Sequence, residues 1–174
     1  MSNKRIQYIG EGEIEAHFFD FLKSKDYIPA GRIFVFNLMQ KQLKQTDNIL
    51  TKRYDKAFCV VDTGCLEQAN ADKLYHNYRM LQAASQRICI IPQNKNFEDE
   101  LRYILGTKNL NAVLHLPSGH QNLKRNLSTY NYTPVITCFP DAYCNHIGWF
   151  VNKMLEFLPA FPKGAIKPGQ ILKR

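Results

Sequence analysis

Several features are missing from this sequence, and each absence narrows what the chain can be. No apolar run reaches the roughly 18–20 residues that span a bilayer, so no membrane partner is expected. The opening "MSNKRIQ" has no apolar signal segment behind it, which predicts a cytoplasmic protein. Neither a GxGxxG nor a GxxxxGK[ST] glycine loop is present, which argues against a nucleotide-binding α/β enzyme. The five cysteines, at 59, 65, 89, 138 and 144, form no CxxC pair. Cys59 and Cys89 lie inside apolar runs and read as small core residues. "CFPDAYCNH" offers Cys138, Cys144 and His146 to a metal, but at a spacing that matches no common zinc pattern. Acids are scarce in the last part of the chain: from Gly106 onward there are 8 Lys/Arg and only 2 Asp/Glu, against 15 and 13 before it. Trp149 is the single tryptophan, and with Phe150, Phe157 and Phe161 it reads as core or interface, because a base-stacking platform needs Lys and Arg interleaved. There is no internal repeat and no low-complexity tract.

What is present is an alternation. "RIQYIG", "RIFVFNL", "KAFCVVD" and "RICIIPQ" are short, β-prone apolar runs. "EIEAHFFDFLKSK", "LEQANADKLYHNYRMLQAAS" and "NFEDELRYILG" carry apolar residues at helical spacing between or after them, and Gly106 suits a helix end. "QKQLKQTDNILTKRY", polar with sparse Leu and Ile, completes the pattern as an exposed helix. Strands that are apolar throughout are buried on both faces. The expected fold is therefore α/β: a four-stranded parallel sheet flanked by helices over residues 1–106. Residues 107–174 form a mostly helical basic extension packed on that core. Within it, "SGHQNLKRNLSTY" reads as a helix capped by Ser118, "TPVITCF" as a strand and "DAYCNHIGWFVNKMLEFL" as an amphipathic helix. The Pro- and Gly-bearing tail from about residue 159 is expected to be extended or mobile.

In open parallel sheets, ligands gather at the carboxyl ends of the strands. Glu11 follows the first strand and Asp62 ends the third, so two acids share one sheet edge. Lys95 lies in the loop after the fourth strand, at the same edge, and Glu98 opens the helix that follows. An acidic cluster beside a basic segment suits a polyanionic substrate that also needs a metal.

The order "QYIGEGEIEAHFF", then "AFCVVDTGC", then "PQNKNFEDELRYIL" resembles the Toprim family, and within it the RloB-type and OLD-type nucleases of bacterial and phage defence. The first motif matches as an apolar strand followed by Glu-Gly. The second matches through Asp62 and then departs, because Gly64 stands where the family has the second acid of Asp-x-Asp. The resemblance covers residues 5–106. It implies a metal-dependent nuclease acting on DNA or RNA, with Mg2+ or Mn2+ as cofactor. Glu11 would be a metal ligand or general acid/base, Asp62 the principal metal ligand, and Gly12 the point where the backbone approaches closely. Glu13 and Glu67 are candidates to replace the absent acid, with Glu13 preferred over Glu15. The Gly64 departure implies an alternative, a degenerate Toprim-fold module that binds nucleic acid or protein without cutting.

Acids in the first turn of a helix are also favoured by its dipole, so Glu13 and Glu15 have a purely stabilising reading. In the basic half, His120 and Lys124 are four apart and share a helical face, while Arg125 diverges by about 100°. These three are the candidate nucleic-acid contacts; a solvated polar helix face is the plainer account. His17 is expected in the core and His76 on the surface. At this length, a homodimer or a partner subunit is the assembly to look for.

Overall fold

The computed structural model describes residues 5–93, 95–117 and 120–136. The four apolar runs form strands β1 (Ile6–Gly10), β2 (Arg32–Val35), β3 (Tyr54–Asp62) and β4 (Ser85–Gln93), all parallel, in the order β2-β1-β3-β4. The helices are α1 (Glu13–Ser24), α2 (Gln68–Ala84), α3 (Phe97–Ile104), α4 (Leu110–Val113), α5 (His120–Leu127) and α6 (Thr133–Ile136). A single 3-10 turn, Thr63–Cys65, follows β3.

Alternation along the central strands feeds two separate cores. On β3, Phe58 and Val60 point to one face, where Tyr8, Phe18, Leu101, Leu123 and Tyr132 pack. Ala57, Cys59 and Val61 point to the other, with Ile9, Leu74, Leu81 and Ile90. A strand buried on both sides has no polar face to present, which is why these segments read as unbroken apolar runs. Cys59 and Cys89 are buried in these cores, as expected. Gly106 stands just past α3 with φ +60, a left-handed helix end that a glycine adopts without steric cost.

Two expected elements are replaced. Residues 36–53 form a run of turns rather than an exposed helix. Leu38, Met39, Leu43 and Ile49 from this segment are buried against the same sheet face as α2. Side chains satisfy its backbone: Asn37 Oδ1 accepts from Met39 N and Gln40 N, and Asp47 Oδ2 accepts from Lys44 N. Asn77 of α2 donates to Leu38 O and Lys41 O and accepts from Leu43 N, each at 2.7 Å. Such bonds offer the backbone an alternative to helix. The second replacement is at "TPVI", which makes one helical turn, Thr133–Ile136, instead of a strand. Proline has no N–H to give a sheet ladder and suits a first helical turn, where that donor has no partner anyway.

Residues 110–117 and 120–136 pack on the α1/α3 face through Leu110, Leu114, Leu127 and Tyr132. His17 is half-buried, with Nε2 3.3 Å from Tyr130 O, and His76 is half-buried rather than exposed. Ser118, the helix expected at 141–158, Trp149, the Cys138/Cys144/His146 group and the tail lie outside the described residues. Among the described residues, no helix is long and apolar enough to cross a membrane.

Candidate functional site

The strand order reverses between β1 and β3: β1 leads out to β2 on one side, and the chain then returns to β3 on the other. Connections diverge at such a switch point and leave a crevice at the strands' carboxyl ends. A cleft of about 720 Å³ lies there, and Glu11, Glu15, Asp62, Lys95, Glu98 and Lys124 are among the residues that line it.

Glu11 and Asp62 are in contact. Glu11 Oε1 accepts from the Asp62 backbone N–H at 3.0 Å, and its Oε2 accepts from Asn37 Nδ2 at 2.7 Å. Asn37 follows β2, so three neighbouring strands each contribute one polar residue to this edge. Asp62 Oδ1 is buried and meets no donor. Burial pushes the Glu11 carboxyl up to about 7; the Asp62 N–H opposes this and Glu15 adds to it. Burial, and then the charges of Glu11, Glu15 and Glu98, push Asp62 up to about 8. The pair therefore favours holding a proton, or a cation in its place.

Glu15, not Glu13, is the buried acid of the first helical turn. Glu13 lines the cleft but is exposed, whereas Glu15 is 8% exposed. Its Oε2 folds back to accept the Gly12 N–H at 3.0 Å, the half of a capping box that a glycine N-cap allows. Burial raises its pKa, with Glu98 adding to that and Lys124 opposing it. A Cβ at Gly10 would sit 2.7 Å from Glu15 Cβ, while one at Gly12 would meet only the end of the Glu15 side chain at 3.2 Å.

Gly64 and Lys95 are locked together. Gly64 N donates to Lys95 O at 2.9 Å, Lys95 N donates to Thr63 Oγ1 at 2.9 Å, and Thr63 Oγ1 donates to Gln93 O at 2.7 Å. Lys95 has φ +58, a left-handed conformation that costs a non-glycine residue about 1–2 kcal/mol. These bonds hold it there, with its exposed side chain at the cleft.

The remaining candidates divide. Lys124 lines the cleft, while Arg125 is exposed and outside the cleft lining. His120 opens α5. Glu67 is also outside the lining: it is the exposed N-cap position of α2, beyond the turn at 63–65, with Oε1 3.3 Å from Asn70 Nδ2. Asn37, Asn96 and Arg102 line the cleft without having been expected there. Asn37 carries the signal that marked Asp62, a polar residue where an apolar strand ends. Asn96 Oδ1 caps α3 by accepting from Asp99 N, and Arg102 pairs with Asp99 at 2.6 Å.

Among the described residues, no group of three or more His, Cys, Asp or Glu is arranged to hold a metal ion. Compared with known proteins, the chain matches no family model, no curated protein and no solved structure.

Proposed function

We propose that the chain is a Toprim-type, metal-dependent nuclease that hydrolyses phosphodiesters of DNA or RNA. The observation that carries this reading is the contact of Glu11 with Asp62 at the strand tips, with Asp62 Oδ1 buried and unpartnered. That donor set fits Mg2+ or Mn2+. Mg2+ keeps several waters and needs only one or two carboxylates, so the lack of a three-residue cluster does not stand against it. Glu11 and Asp62 would hold the ion, and each Glu11 oxygen retains a lone pair beyond the bond it accepts. When bound, such an ion neutralises charge on phosphate oxygens and lowers the pKa of a coordinated water.

The chain's own groups supply the rest. Asn37 and the Asp62 N–H fix the plane of the Glu11 carboxylate. Carboxyls raised to about 7 and 8 can take or give a proton near neutral pH. The ammonium groups of Lys95 and Lys124, both in the cleft lining, counter negative charge that builds on the phosphate.

The departure at Gly64 favours a second reading, a degenerate module that binds nucleic acid without cutting it. One experiment separates the two. Mixed DNA and RNA substrates are incubated with the full chain and Mg2+ or Mn2+, alongside Glu11→Gln and Asp62→Asn. The nuclease reading expects cleavage that falls by about 100-fold or more in each variant, with the fold retained. No cleavage by the parent chain with either ion, with binding retained, selects the second reading.

A further inference from the structure

The nuclease reading leaves the source of affinity unexplained. Six acids line the cleft, Glu11, Glu13, Glu15, Asp62, Glu98 and Asp99, against the three cations Lys95, Arg102 and Lys124, of which Arg102 is paired with Asp99. With more acids than cations, such a cleft draws a polyanion weakly until a cation enters it, so much of the electrostatic attraction that brings a nucleic acid in must arise elsewhere.

The opposite edge of the sheet has that character. Arg5 precedes β1, Lys52 and Arg53 precede β3, Lys56 lies near the start of β3, and Arg87 near the start of β4. Lys56 is the cross-strand partner of both Ile6 and Arg87, so its cation and that of Arg87 stand side by side on one sheet face. Arg5 and Arg53 line a separate cavity of about 420 Å³ over the end of α2. Arg5, Lys52, Arg53 and Arg87 are exposed and Lys56 half-exposed. None of the five forms an ion pair among the described residues. One acid stands among them: Asp55 lines the same cavity as Arg5 and Arg53, with Oδ2 accepting the Arg5 backbone N–H at 2.7 Å, and its single charge leaves the rim strongly positive. Five unpaired cations brought to one rim by three adjacent strands are costly by mutual repulsion and gain most from a polyanion. Lysine and arginine at this spacing suit phosphates, which position a nucleic acid without reading its sequence.

We propose that this strand-start rim is a second surface, which binds the phosphate backbone of a nucleic acid. It rests on the nuclease reading only in taking nucleic acid as the partner. Along strand β3, at about 3.3 Å per residue, it stands about 20 Å (Lys56) to about 26 Å (Tyr54) from the carboxylate pair. It would therefore hold flanking duplex or a second segment rather than the phosphate being cut.

The test is binding, read apart from cleavage. Full-length protein carrying Asp62→Asn, in EDTA, is titrated against fluorescein-labelled 30-bp DNA and RNA duplexes over a range of salt. Two double variants, Arg5→Gln/Arg53→Gln and Lys56→Gln/Arg87→Gln, are each expected to weaken binding about tenfold or more at low salt. Each should reduce the slope of log K against log salt by about 2, close to 0.9 for each phosphate no longer neutralised. Lys52→Gln/Arg53→Gln, confined to an exposed turn, serves where a double variant fails to fold, and should show the same loss. Unchanged slopes in folded variants overturn the proposal, as does preferential binding to phosphatidylserine vesicles over both duplexes. Loss of slope in a chain whose parent never cuts supports the surface and removes the nuclease reading. Cleavage by the parent with unchanged slopes does the reverse.

Discussion

A side chain at position 64 would bring its Cβ to 3.1 Å from the Cα, Cβ and carbonyl oxygen of Lys95. Two of those atoms are backbone, and the turn they belong to is pinned by three hydrogen bonds: Gly64 N and Thr63 Oγ1 donate to Lys95 O and Gln93 O, and Lys95 N donates to Thr63 Oγ1. On the proposed Toprim reading, the acid absent at position 64 is more than a lost ligand: a side chain there would crowd the Lys95 turn, which sets an ammonium at the cleft. This makes Gly64→Asp informative. Completing an Asp-x-Asp pattern should not raise cleavage, because the backbone of the Lys95 turn would have to yield by a few tenths of an ångström to admit the new side chain. It should instead destabilise the chain by about 1–3 kcal/mol, the usual cost of overpacking. The urea midpoint and the Mg2+-dependent cleavage rate, measured together, check this. A variant that is both stable and more active would show that the turn yields and that the glycine is only an absent ligand.

At the scale of elements, the strands were legible and the segment between β2 and β3 was not. Each strand is a run of β-prone residues bounded by polar ones, and that signal is local. So was the placement of Glu11 and Asp62, since an acid directly after a buried strand is a conspicuous interruption. The choice between Glu13 and Glu15 turned on where the helix begins. Because α1 starts at Glu13, Glu15 falls at the third position and folds back on Gly12. Residues 36–53 have no period to read. Their shape is set by Asn77, more than thirty residues further along, which takes up three backbone groups of the segment with one amide. Asn77→Ala leaves those groups without their partner in a buried site. The expected cost is about 2–4 kcal/mol, to be read from denaturant unfolding. The same segment carries Asn37, the anchor of Glu11 Oε2, so the loss should reach the site and weaken Mg2+ binding as well. Unchanged stability would mean that Leu38, Met39 and Leu43 hold the segment by packing alone.

At the scale of the described molecule, charge is unequal between the two sheet edges: acids outnumber cations at the carboxyl ends of the strands, and cations outnumber Asp55 at their starts. The acid end makes stability depend on pH in a definite direction. Glu11 and Asp62, at about 7 and 8 in the folded chain, have ordinary values near 4 when unfolded. They bind protons more tightly folded than unfolded, so between those limits the folded state carries the greater number of protons. Stability from this pair is whole below about pH 4 and is lost as pH rises through 7 and 8. In EDTA, the melting temperature should fall by several degrees between pH 6 and pH 9, and Asp62→Asn should flatten that fall. On the proposed metal-binding reading, a divalent cation would compete with the same protons, so its stabilising effect should grow with pH over the same window. Melting curves at pH 6 and pH 9, each with EDTA and with Mg2+, test both halves. A Mg2+ effect of equal size at the two pH values, or a fall in EDTA that survives Asp62→Asn, would mean that the cation and the protons do not share this pair.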